Sequence, residues 1–249
     1  MIAPAGRGRW LAAAAATLLI VAAAGVGMVL KDRSRSLPER PPGERPGLAV
    51  LTSLPIVFPE QFTLQAPAAP ALKALQSRYR IVPISVTDAQ SLGQARFLLM
   101  AQPQAQPAEA LVELDQWVRA GGRVLLLADP ALEWQSERPL GDALRPPLAF
   151  PDTGLLGHWG LRLDSPDRRG PRSLAIGDVQ IRANSPGSLF ATTAGCVVEP
   201  ERLIARCRIG KGQAIVVADA DFINAGRIEG GAGSANLDLL LEELGRLER

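Results

Sequence analysis

Three acidic residues stand where a hard cation or a cationic ligand can be held. Asp129 follows the apolar run Arg123-Val124-Leu125-Leu126-Leu127-Ala128, Asp219 closes the run Gln213 to Ala218, and Asp221 lies two residues on, with Asn224 close behind. Parallel α/β sheets bind ligands outside the carboxyl ends of their strands. If the two runs are neighbouring strands, Asp129, Asp219, Asp221 and Asn224 converge as an all-oxygen donor set suited to such a cation. The same residues have a structural use, because an Asp at a strand end accepts the backbone N–H groups of the next turn. The spacing alone favours this capping use.

Other chemistry is poorly supplied. The single histidine, His158, excludes multi-histidine metal sites, and two cysteines, Cys196 and Cys207, cannot build a four-thiolate zinc site or an iron–sulfur cluster. Ser136, Ser165, Ser173, Ser185 and Ser188 offer hydroxyls, but none lies in G-x-S-x-G. His158 sits among Leu155, Leu156 and Trp159, which suits a packed helix end or turn. Gly121-Gly122 ends a helical run and Gly210-Lys211-Gly212 falls between two strands, so neither matches a loop that cradles phosphate. No cofactor is expected. Lys+Arg 27 against Asp+Glu 25 gives a formal charge of +2, too little for a field that holds nucleic acid, and 4% aromatic content supplies no base-stacking surface.

The elements that must position these residues follow from hydrophobic periodicity. Gly47 to Ser53, Ile81 to Val86, Arg96 to Ala101 and Arg123 to Ala128 read as strands. Between them Ala69 to Arg80 carries Leu72, Leu75 and Tyr79 at helical spacing. Ala108 to Ala120 puts Leu111, Leu114, Trp117 and Val118 on one helical face and ends at Gly121-Gly122. Continuously apolar strands alternating with helices predict an α/β domain with a mostly parallel sheet covered on both faces. Gln213 to Asp219 is a later buried strand, and Asn236 is placed to cap a last helix, Leu237 to Leu247. Trp117, Trp134 and Trp159 read as core or as covers over the sheet edge.

A β-hairpin-rich insertion is expected at about 160–209, with short runs at Leu161 to Leu163, Ser173 to Ile176 and Val179 to Arg182. Its last hairpin turns at Glu199-Pro200-Glu201-Arg202. If the turn is centred between Glu201 and Arg202, Cys196 lies opposite Cys207, close to disulfide reach. Two buried thiols and a disulfide both fit the sequence; a bridge would agree with an oxidising compartment.

Trp10 to Leu30 is uncharged throughout and long enough to cross a bilayer core of about 30 Å once. It reads as a transmembrane anchor behind a short cytoplasmic head, residues 1–9. A cleaved signal peptide is the alternative, since Arg7 and Arg9 precede the apolar run and Ala22-Ala23-Ala24 suits a peptidase. Lys31, Arg33 and Arg35 follow the span, so the charge bias is nearly balanced. The short head favours a periplasmic position for the rest of the chain. Residues 31–46, rich in charge and proline, read as an extended tether, and the folded domain as 47–249.

The run Phe97 to Pro103, followed by Pro107 to Pro130, resembles the class I glutamine amidotransferase-like domain of ABC-transporter auxiliary proteins of the gliding-motility accessory type. Gly210 to Phe222 is similar to the end of that domain, where a glycine turn, a buried strand and an acidic tail recur. The resemblance implies a flavodoxin-like or glutamine amidotransferase-like fold and an accessory role beside a transporter permease or other envelope subunits at the membrane. Glutamine hydrolysis needs a cysteine on a strand-to-helix elbow, activated by histidine. Cys196 and Cys207 flank a hairpin instead, so the expected protein is not an enzyme. An acid-cluster binder or hydrolase using Asp129, Asp219 and Asp221 is the competing expectation.

Overall fold

The computed structural model describes residues 37–61, 67–228 and 232–249. The expected head, the expected span Trp10 to Leu30 and residues 31–36 of the tether lie outside the described residues. No helix among the described residues is long and apolar enough to cross a membrane.

A seven-stranded sheet forms the centre, in the order β2-β1-β3-β4-β11-β10-β9. Its parallel part comprises β1 (Gly47–Thr52), β2 (Arg80–Pro83), β3 (Phe97–Ala101), β4 (Arg123–Leu127) and β11 (Gly212–Val217). The antiparallel strands β10 (Ile204–Ile209) and β9 (Cys196–Val198) extend it at one edge. In β3 and β4 every residue after the first is buried. A strand covered on both faces must be apolar at every position, and for that reason these runs show no alternation.

The helices are α1 (Pro70–Gln76), the short α2 (Ala89–Leu92), α3 (Ala108–Arg119), α4 (Leu155–Trp159) and α5 (Ala232–Leu247). Helix α3 buries Ala110, Leu114 and Val118, with Glu109 in its first turn and Arg119 in its last, each suited to the helix dipole. It stops where Gly121 takes φ +123°. Gly122 is required for another reason, because a Cβ there would lie 2.3 Å from the Trp117 ring.

Several sequence expectations are corrected. Strand β2 ends at Pro83 instead of Val86, and α2 and β8 (Ser188–Ala191) had no clear periodicity to announce them. The insertion is smaller than 160–209: β5 (Leu161–Asp164) pairs with β8, and β6 (Pro171–Ile176) with β7 (Val179–Asn184), in two separate two-stranded sheets, whereas β9 and β10 belong to the central sheet. Asn236 does not cap the last helix. It lies buried inside α5, where Oδ1 accepts the Arg182 N–H at 3.0 Å and Nδ2 donates to the carbonyls of Arg182 at 2.7 Å and Phe222 at 2.6 Å. An internal helical amide is thus spent on holding β7 to the helix.

The second half of the expected tether is part of the folded unit, which begins at Leu37. Leu37 packs against the core, Arg40 Nη2 bonds Glu248 Oε2 at 2.6 Å, and Arg78 Nη1 donates to the Pro38 carbonyl at 2.5 Å. The Tyr79 hydroxyl donates to Glu248 Oε1 at 2.5 Å, and burial together with that bond pushes its pKa up. Proline and charge made this segment look unable to bury a core, yet docking on an existing one needs only Leu37 and a few polar bonds.

The β9–β10 register pairs Cys196 with Cys207, and the two are joined in a disulfide with Cα atoms 4.1 Å apart. Both are buried. The bridge closes a short loop, so Cys196→Ser combined with Cys207→Ser is expected to cost about 2–3 kcal/mol through the unfolded chain's regained freedom. Chemical denaturation of the two forms measures this; equal midpoints would show that the three-residue edge strand is held by backbone pairing alone.

Candidate functional site

The carboxyl ends of β4 and β11 lie side by side, since Leu127 pairs with Val217. Asp129 and Asp219 leave the sheet two residues beyond these ends, and the 3-10 turn Asp221–Ile223 begins immediately after Ala220. Asp129, Asp219 and Asp221 consequently meet, with one carboxylate oxygen of each within 4.8 Å of the others. All three are buried. Asn224 lines the cleft beside them together with Asp221.

Backbone N–H groups occupy the carboxylates. Asp129 Oδ1 accepts from Ala131 N at 2.8 Å and Oδ2 from Ala220 N at 2.9 Å. Asp219 Oδ1 accepts from Phe222 N and Oδ2 from Asn184 N, both at 2.8 Å. Asp221 Oδ2 accepts from Glu133 N at 2.7 Å. The cluster therefore stitches together the loop after β4, the loop after β11 and the end of β7. Each of these oxygens keeps a second lone pair, so a cation placed here would share them with the backbone donors.

Burial governs the electrostatics. It pushes the Asp129 carboxyl up to about 6, against the downward pull of the Ala220 and Ala131 amides. Asp221 is pushed up to about 7, again first by burial, with the Asp129 and Glu133 charges adding to it. Asp219 is raised well above the ordinary carboxylate range by burial and then by the charges of Asp129 and Asp221. Three buried carboxylates this close each disfavour the ionisation of the others.

Glu133 and Ser185, which carry no sequence signal, join the same region. Glu133 accepts from the Ser185 hydroxyl and from Asn184 Nδ2. Ser185 precedes proline yet takes φ +52°, a conformation doubly disfavoured for it, and its Oγ accepts the Gly170 N–H at 2.8 Å. It is fully buried, which removes it as a nucleophile for outside substrates. Among the described residues none of the five candidate serines is hydrogen-bonded to His158. That side chain is exposed on α4, its Nε2 lying 3.1 Å from Arg119 Nη2 and 3.3 Å from Asp115 Oδ2. Trp159 is core and donates Nε1–H to Asp115 Oδ1 at 3.0 Å, while Trp117 and Trp134 pack against the core.

The strand order reverses between β1 and β3, the place where doubly wound sheets usually open a ligand crevice. Here it is closed. Thr52 Oγ1 donates to the Ala101 carbonyl at 2.7 Å, and Ser53 Oγ to that of Gln102. Gln102, buried and at φ +43° before Pro103, donates Nε2 to the carbonyls of Asp129 and Pro147 and accepts the Asp129 N–H at 2.9 Å. Every bond of this side-chain amide is thus turned inward.

No curated protein matches the chain. Among solved structures, an exo-β-1,4-mannosidase of Opitutaceae bacterium strain TAV5 matches with TM-score 0.50 at 14% identity, over 80% of this chain and 36% of that one. The chain spans about a third of the length of the glycosidases it matches. A cytoplasmic protein of Salmonella typhimurium LT2 matches at 10% identity and TM-score 0.49, over 81% of this chain and 99% of that one. A ThuA-like protein of Bacteroides uniformis ATCC 8492 matches at 9% identity and TM-score 0.45, over 82% and 92%. The mannosidase likeness concerns the fold alone. By sequence, residues 45–167 match the family described as an ABC-type uncharacterized transport system.

Proposed function

We propose that this chain is a membrane-anchored, non-catalytic auxiliary subunit of an ABC-type transport system, with its α/β domain on the periplasmic side. The match of residues 45–167 to an ABC-type transport family carries the association. The anchor is the uncharged stretch Trp10 to Leu30, and the Cys196–Cys207 bridge suits an oxidising compartment. The frame is that of a glutamine amidotransferase-like domain stripped of its triad. Two observations support a non-catalytic reading: the side chains of Thr52, Ser53 and Gln102 at the reversal point are bonded to neighbouring carbonyls, and the buried acids each accept backbone N–H groups as capping residues do.

The 4.8 Å clustering of Asp129, Asp219 and Asp221 favours a second reading, a cation-dependent binder or hydrolase. Addition of divalent ions to the purified chain separates the two, because a bound ion raises the melting temperature by mass action.

A membrane-impermeant, lysine-reactive crosslinker applied to cells with a permeabilised outer membrane tests the leading reading. Lys73 and Lys211 lie in the domain, and the expected result is a conjugate with a transporter permease or accessory subunit. Recovery of conjugates only after the inner membrane is broken, or with cytoplasmic proteins alone, overturns it.

A further inference from the structure

A cleft of about 390 Å³ opens beside the acid cluster, outside the carboxyl ends of β4 and β11. It falls within the size range of small-molecule sites, roughly 300–1,000 Å³. Glu133, Trp134, Arg182, Asn184, Asp221 and Arg227 line it. Its charges of opposite sign are not spent on one another. Arg182 Nη1 reaches only Ser173 Oγ, at 3.5 Å, and Arg227 Nη1 donates to the neutral Gln135 Oε1 at 2.8 Å. Among the described residues neither guanidinium has a carboxylate partner, although two carboxylates line the same cleft. Glu133 in turn is held by neutral donors, the Ser185 hydroxyl and Asn184 Nδ2.

A guanidinium without an anion keeps planar paired N–H donors suited to a carboxylate, and a carboxylate without a cation suits an ammonium group. A neutral sugar would leave both charges unanswered, and a phosphate would set its negative charge against Glu133. The geometry points to a binding site for a zwitterionic α-amino acid, its carboxylate taken by Arg182 and Arg227, its ammonium by Glu133, and its side chain laid beside the Trp134 indole. The half-buried indole selects an apolar side chain. This site stands independently of the transport role.

Isothermal titration of the purified full-length chain with L-leucine tests it, with N-acetyl-L-leucine and L-leucinamide as probes that each lack one charge. L-leucine is expected to bind with Kd below about 1 mM, and each blocked probe about tenfold more weakly or worse. The combined replacement Arg182→Ala with Arg227→Ala is expected to weaken L-leucine about tenfold or more and to leave L-leucinamide unchanged. Both arginines are exposed, and an unaltered melting curve shows that the variant is folded. Absence of binding by L-leucine and the other common α-amino acids up to about 10 mM overturns the inference. So does L-leucine binding that survives loss of both arginines, or equal binding of all three probes.

Discussion

Asp219→Ala is expected to destabilise the domain by about 2–5 kcal/mol, because two backbone N–H groups, that of the half-buried Asn184 and that of the buried Phe222, lose their acceptor together. Asp219→Asn keeps one acceptor oxygen and removes a carboxyl from a crowded site, so it should cost much less. The wild-type protein should also lose stability as pH rises. The folded-state pKa values of Asp129, about 6, and Asp221, about 7, lie above those of the unfolded chain, as does that of Asp219. The folded form therefore binds more protons than the unfolded form between about pH 4 and pH 7, and its stability falls with pH across that window. The full contribution is present below the unfolded pKa, near 4, and is lost as pH passes the folded values. Asp129 alone accounts for a difference on the order of 3 kcal/mol. Melting curves from pH 4.5 to 8, run on wild type and Asp219→Asn, should show a falling midpoint in the first and a flatter one in the second. A midpoint that climbs over this range would refute the account, and an ion-dependent rise in melting temperature that Asp219→Asn abolishes would favour the cation reading instead.

Gly212→Ala should cost about 3 kcal/mol or more, at the upper end of overpacking penalties. A Cβ at the first residue of β11 would lie 2.0 Å from the Val118 carbonyl oxygen and 2.3 Å from that of Gly122. Both are backbone atoms at the end of α3, which is fastened to the same turn by the bond from Lys211 N to Arg119 O. Neither can swing away as a side-chain tip would. The expected loss in melting temperature is about 6 °C or more for a domain of this size. Gly157→Ala is the control, since a Cβ there meets nothing within 4 Å and the residue lies in α4. It should be neutral or stabilising by about 0.4–1 kcal/mol. Equal losses at the two positions would mean that the close approach of β11 to α3 is not the constraint.

The sequence by itself was enough for the buried strands and the main helices. Val124 to Leu127 and Ala214 to Val217 are apolar at every position, which only a strand covered on both faces demands, and Leu114 and Val118 recur at helical spacing. The Cys196–Cys207 register followed from it only on the condition that the hairpin turns between Glu201 and Arg202, and the β9–β10 pairing supplies that condition. Strand order was another matter. Nothing local in Arg123 to Leu127 says that its neighbour is Gly212–Val217, more than eighty residues on, or that β9 and β10 would widen the central sheet. That pairing turns Asp129, Asp219 and Asp221 from separate strand-end acids into one buried cluster. Glu133, Arg182 and Arg227 come from a loop, a hairpin and a 3-10 turn, with no periodicity or motif linking them. Burial and periodicity are read from neighbours along the chain, whereas a shared cleft and a shifted pKa arise from groups that only the folded chain brings within a few ångströms of one another.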